Sequence, residues 1–272
     1  MRAEFEAKLS CCRDLPSPPG IALRILAMAQ DPDVVMATAA DTIGLDVALT
    51  ARMLRIANSP LYASRRQVGS LNQALVLLGL NASLTLALGF SLTSGLRSRG
   101  HGDDTCEERI WRRSVISALA CRLLGQRLGL RKLEELMLAG LLQDIGSLVL
   151  LQTEPEAYRQ LLGGNPPPRD LLQLERESFG CDHAEVGQWM ARNWNLPALL
   201  QDAIGASESP VSATPFEACV AVSGYVAEMW LSENTDAACD EAIAQAHTRL
   251  GMDRETLDRV IEQMTTVLPD IA

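Results

Sequence analysis

Three histidines (His101, His183 and His247) and seven cysteines are the residues of this 272-residue chain best suited to metal or nucleophile chemistry. The cysteines (Cys11, Cys12, Cys106, Cys121, Cys181, Cys219 and Cys239) are odd in number and form no CxxC or zinc-like spacing. Free thiols buried in a reducing compartment account for them. A cysteine nucleophile needs a histidine within reach, and only Cys181, two residues before His183, has one nearby in sequence; a cysteine ahead of a capped helix start is more commonly packing. No GxSxG, Walker, GxGxxG or HExxH pattern occurs, and Gly163-Gly164 leads into prolines rather than a phosphate-binding helix. The other patterned groups are basic. Arg52 and Arg55, three apart, project from one strip of a helix, and Arg65 and Arg66 follow its end. These four form a candidate partner-docking surface, with helix capping or pairing to the chain's own acidic residues as the competing reading.

The elements that must position these groups are helices. Asp46 can cap a helix carrying Leu49, Met53 and Ile56 on one face, and Asn58-Ser59-Pro60 stops it. Ser70 with Gln73 reads as a capping box, the next helix ends at Gly79, and Asn81 can cap another at once. Helices are also expected over residues 3–12, 20–30, 34–43 and 106–128. The run 132–152 is apolar on nearly every side, as one central helix would be. Gly163 to Pro168 reads as a rigid surface loop. Asp182 with Glu185 caps a helix over 183–194, Pro197 starts the next, and three more follow near 216–231, 236–249 and 253–267. Arg97 to Asp104, with two glycines and no apolar residue, is the candidate boundary between an N-terminal half (1–97) and a second half (105–272). The class is all-α.

The ordered run Met53-Leu54-Arg55, Asn58-Ser59-Pro60-Leu61-Tyr62, a polar loop and Ser70-Leu71-Asn72-Gln73-Ala74-Leu75-Val76-Leu77-Leu78-Gly79-Leu80 resembles the signature of HDOD domains. The opening Leu15-Pro16-Ser17-Pro18-Pro19 resembles the start of that domain. HDOD domains are non-catalytic relatives of the HD metal-dependent phosphohydrolases, found in bacterial signalling proteins. The resemblance implies an N-terminal helical bundle packed with a degenerate HD-like half. It also implies an output or adaptor role, with a histidine kinase, response regulator or cyclic-di-GMP enzyme as partner. Asn58 and Ser59 belong to the signature and are expected to terminate the helix and bond its turn.

HD hydrolases hold metal through a histidine on one helix, a His-Asp pair on the next, further histidines, and a late aspartate. Matched position by position, the first histidine is Arg113, the pair is Gln143-Asp144, a later histidine is kept as His183, Ser207-Glu208 stands where paired histidines are often found, and the late aspartate is Gly224. A guanidinium has no lone pair to donate. Two surviving ligands cannot fix a metal, so no metal, cofactor or catalytic residue is expected, and Asp144 is expected to pair with Arg113. The alternative function is a sensor, with Arg113, Gln143 and Asp144 holding a nucleotide or phosphate; a residual phosphohydrolase comes third.

Composition bounds the same reading. Hydrophobic residues make up 47% and aromatics 4%, so Leu, Ala, Val and Met must fill the core. The net charge of −10 and pI near 4.9 argue against broad nucleic-acid binding. Charge is uneven: residues 1–100 carry ten Lys/Arg against seven Asp/Glu, and the remainder fourteen against twenty-seven, which suits docking to a partner. The first ten residues have acidic side chains and no apolar run, so no secretory signal is expected. Leu136 to Leu151, interrupted by Gln143-Asp144, falls short of a membrane span. A soluble cytoplasmic protein is expected.

Overall fold

Local sequence places the first helices as expected, and packing then decides what they carry. The computed structural model describes Leu9 and residues 18–62, 67–96, 105–164, 166, 168–209 and 211–271; the expected helix over 3–12 (Leu9 apart), Arg65, Arg66, His101 and the boundary at 97–104 lie outside these. Among the described residues there is no strand. The N-terminal half comprises α1 (Gly20–Ala29), α2 (Met36–Gly44), α3 (Val47–Asn58), a 3-10 turn (Pro60–Tyr62), α4 (Leu71–Leu78) and α5 (Leu80–Leu96). The Asp46 carboxylate accepts from the Leu49 amide and opens α3. Ser59 closes it by donating to the Ile56 carbonyl at 2.7 Å. Asn58 does more than stop the helix. Its amide nitrogen donates to the carbonyls of Leu54 and Val68, and its oxygen accepts from the Val68 amide, so one side chain joins the two ends of the following loop.

Ser70 caps α4, but Gln73 reaches back to the Gly69 amide rather than to that of Ser70. The expected cap at Asn81 is not used. Gly79 (φ 86°) turns the chain by itself, α5 begins at Leu80, and the two helices meet at 115°.

The second half comprises α6 (Thr105–Arg127), α7 (Leu133–Leu142), α8 (Ile145–Thr153), α9 (Pro155–Gly163), α10 (Pro168–Phe179), α11 (His183–Asn193), α12 (Ala198–Gly205), α13 (Pro215–Leu231), α14 (Thr235–Leu250) and α15 (Arg254–Ile271). The run expected as one helix over 132–152 is therefore two, broken at Gln143-Asp144. A cause lies at Gly146: a Cβ there would overlap the His183 carbonyl oxygen, so α8 crosses α11 backbone to backbone. This apolar stretch is long enough to cross a membrane, yet 89% of it is buried inside the fold. Pro168 opens α10 instead of ending a loop.

One apolar cluster runs from Leu9 and Ile25 through Met53 and Leu119 to Met264, so the two halves share a core. Helix α6 packs on α7 and α13, α8 on α11, and α15 returns to touch both α6 and α3. Tyr62 joins the halves from the signature turn. Arg122 of α6 lies over its ring at 4.7 Å, its hydroxyl is 3.5 Å from Glu134 of α7, and burial raises the phenol to about 12.

Candidate functional site

Helix α6 presents Arg113 one turn after Arg109, and α13 presents Gly224 one turn before Glu228. The break between α7 and α8 holds Gln143 and Asp144, α11 begins at His183, and Glu208 follows α12. These groups converge. One guanidinium nitrogen (Nη1) of Arg113 bonds Asp144 Oδ1, Nη2 is 3.4 Å from Glu208 Oε1, and Nε is 3.2 Å from Glu228 Oε1. Arg109 Nη2 is 3.6 Å from the other oxygen of Glu228. A Cβ on Gly224 would come within 2.8 Å of Arg113 Nη2, so the missing side chain at 224 is the room the guanidinium uses. Gln143 accepts from Ser223 at 3.5 Å and shares this wall. Burial opposes charge on Arg113, but Asp144, Glu208 and Glu228 outweigh it and keep the group protonated. Burial raises Asp144, against the pull of Arg113 and then His183. Asp144 stands at the N-cap position of α8 yet makes no capping bond; its role is the ion pair.

His183 is held from behind. Its amide and its ring Nδ1 both face Glu175 Oε2, at 2.9 and 2.8 Å, and Tyr158 donates to Glu175 Oε1 at 2.7 Å. Its Nε2 is 3.5 Å from Glu208 Oε1. Burial favours the neutral ring, but Glu175 and Glu208 prevail and raise its pKa well above the ordinary value. The same contacts with His183 and Arg113 hold Glu208 at about 2, against burial.

Asp144, His183 and Glu208 bring one ligand atom each within 4.8 Å of one another, a spacing a divalent ion could use. The rest of the site opposes it. Arg113 occupies an oxygen of two of the three, and its permanent positive charge stands against any cation placed there. The residues present do not fit an HD-type metal; a guanidinium on α6 supplies the positive charge there.

Beside this cluster lies a cavity of about 340 Å³ lined by the apolar Ile110, Leu162 and Leu171 and by the exposed Glu233. Asp144, His183, Glu208, Glu228, Arg109 and Arg113 all reach it.

Arg113, Gln143, Asp144, His183 and Gly224 thus come together, while the candidate docking arginines are described only in part. Arg52 is turned into the fold. Its guanidinium lies over Phe90 (5.7 Å) and Trp111 (5.4 Å) and donates to Ser94 Oγ at 2.7 Å, because two aromatic faces and a hydroxyl satisfy a stacked guanidinium better than an isolated solvent position. Arg55 is exposed, and Arg65 and Arg66 lie outside the described residues. Glu175, Tyr158, Arg109 and Glu228 escaped sequence reasoning. Only the last two left a signal, each four residues from a site position and so on the same helical face.

The HDOD domain family model matches residues 15–210. The chain belongs to the HDOD domain family. An HDOD domain protein with unknown function from Geobacter sulfurreducens has the same fold, with a TM-score of 0.76 at 24% identity over 98% of this chain and 94% of that one. The MmoQ response regulator of Methylococcus capsulatus is 30% identical, with a TM-score of 0.51 over 92% of this HDOD chain and 98% of its own. An uncharacterised protein of Treponema pallidum is 25% identical over 189 residues, 68% of this chain; the match spans 36% of that relative. HDOD membership and the likeness to a response regulator fit a signalling role.

Proposed function

We propose that this HDOD protein is a non-catalytic adaptor of bacterial signal transduction, acting in the cytoplasm by binding other signalling proteins. The observation that carries this reading is where apolar surface remains exposed. Six of the seven large apolar side chains left exposed among the described residues lie in the N-terminal half: Leu23, Val35, Leu45, Val47, Val76 and Leu77. Leu45 and Val47 flank the α2–α3 junction, Val76 and Leu77 are on α4, and α2, α3 and α4 pack on one another. Large exposed apolar groups concentrated on one part of a protein are characteristic of docking surfaces. The tethered guanidinium among Asp144, Glu208 and Glu228 supports the same reading, because it stands where a hydrolase of this descent would need its ion.

The test is affinity capture from the native cell, comparing wild type with a Val47→Asp/Arg55→Glu variant first checked for folding. A histidine kinase, response regulator or cyclic-di-GMP enzyme retained by wild type and lost by the variant is the expected result. Metal-dependent phosphoester turnover by the purified protein would refute it. The sensor alternative has a cavity in its favour. A nucleotide or phosphate suits that cavity poorly, because its carboxylates outnumber its arginines and those arginines already face carboxylates.

A further inference from the structure

The cavity beside Arg113 has features that the adaptor reading does not use. Among the described residues lining it, Arg109 and Arg113 face Asp144, Glu208, Glu228 and Glu233, while the charge on His183 is matched by Glu175 behind it. Asp144, Glu208 and Glu228 against the two arginines leave one negative charge over inside the site, and Glu233 adds an exposed one. Charge buried without a partner is costly, so the site gains from a cation that the protein does not itself supply.

One buried atom of a lining residue shows where that cation would sit. Asp144 uses Oδ1 for Arg113, while its Oδ2 has no hydrogen-bond partner although the side chain is only 3% exposed. The arginines do not serve it, being engaged with other carboxylate oxygens. Ile110, Leu162 and Leu171 give the same lining apolar walls, and Glu233 adds an exposed carboxylate, so the site combines a buried carboxylate, apolar walls and an exposed acid.

We propose that this cavity is a receptor site for a small aliphatic amine, its ammonium group donating to Asp144 Oδ2 and its methylene chain lying against Ile110, Leu162 and Leu171. The exposed Glu233 suits a second ammonium, which favours a diamine. An ammonium offers three donors and can serve Asp144 and the nearby carboxylates together. A divalent ion is the weaker occupant, for it would require Asp144 and Glu208 to share their charge with Arg113. The site is independent of the docking surface, so loss of partner capture and loss of amine binding can be observed separately.

The experiment is isothermal titration of the full chain with putrescine, with ionic strength matched by sodium chloride, alongside inorganic phosphate and Mn²⁺. Wild type is expected to bind putrescine saturably at one site and to show neither phosphate nor Mn²⁺ binding. Asp144→Asn should weaken binding about tenfold, the effect of losing one charge-assisted hydrogen bond. Glu233→Gln, at an exposed position that cannot unfold the core, should weaken it about threefold without changing the melting temperature of the free protein. Absence of saturable binding, binding that Glu233→Gln retains in full, or a preference for phosphate or Mn²⁺ would each overturn the proposal.

Discussion

Replacing Arg113 by methionine removes one cation from three carboxylates while keeping most of the side-chain volume. Asp144 is 3% exposed, Glu208 11% and Glu228 14%, so little water can take over the solvation the guanidinium provided. Breaking a buried pair from one side costs about 3–5 kcal/mol, and that is the loss expected near pH 8. The cost should shrink on acidification. Without Arg113, burial raises the Asp144 carboxyl further above its unfolded value, so the folded variant binds a proton that the unfolded chain has lost. Stability of the variant therefore falls as pH rises through that window, by about 1.4 kcal/mol per pH unit for one carboxyl. Urea unfolding of wild type and Arg113→Met at half-unit steps from pH 5.5 to 8 measures the difference directly. A deficit below about 1 kcal/mol at pH 8, or one independent of pH, would refute the placement of the guanidinium as the balancing charge of this cluster.

Glu208, held at about 2, has a depressed pKa, so its stabilisation is present above pH 4.5 and is lost as pH falls through about 2. Glu208→Gln should therefore cost about 3 kcal/mol at pH 7 and much less at pH 2.5, read from the same urea midpoints. Gly224→Ala pushes against Arg113 Nη2 and should cost about 1–3 kcal/mol, with most of that cost absent in an Arg113→Ala background, a coupling that a double-mutant cycle by thermal unfolding would show. Arg52→Ala should cost about 1–3 kcal/mol and shift the fluorescence of Trp111 to the red, because the ring loses its guanidinium cover.

Local signals carried well from sequence to fold. The Asp46 cap, the stop at Asn58 to Pro60, the Asp182–Glu185 capping box and the helix starts near 20, 183 and 235 are each set by bonds within a few residues. What failed was decided at longer range. The break at Gln143-Asp144 was hidden because a stretch buried on all sides shows no periodicity to lose. Its visible marks, two polar residues and a glycine close behind, gain meaning only when α11 is seen lying on Gly146. Arg52 looked like surface because an arginine on a helix usually is, and nothing local places Phe90 and Trp111 over it. The site divides in the same way. Arg113, Gln143, Asp144, His183 and Gly224 were legible through their match to a known pattern, whereas Glu175 and Tyr158, which hold His183, come from α10 and α9 by packing alone.

The charge that Arg113 brings to the centre of the second half is attached by a covalent bond. A bound ion stabilises a protein in proportion to the logarithm of its free concentration, and a tethered one has no free concentration to vary. The fold should therefore be indifferent to chelators and to the supply of iron, manganese or zinc. A signalling protein built this way could keep its shape through metal starvation, when ion-dependent relatives of the same architecture would lose part of theirs.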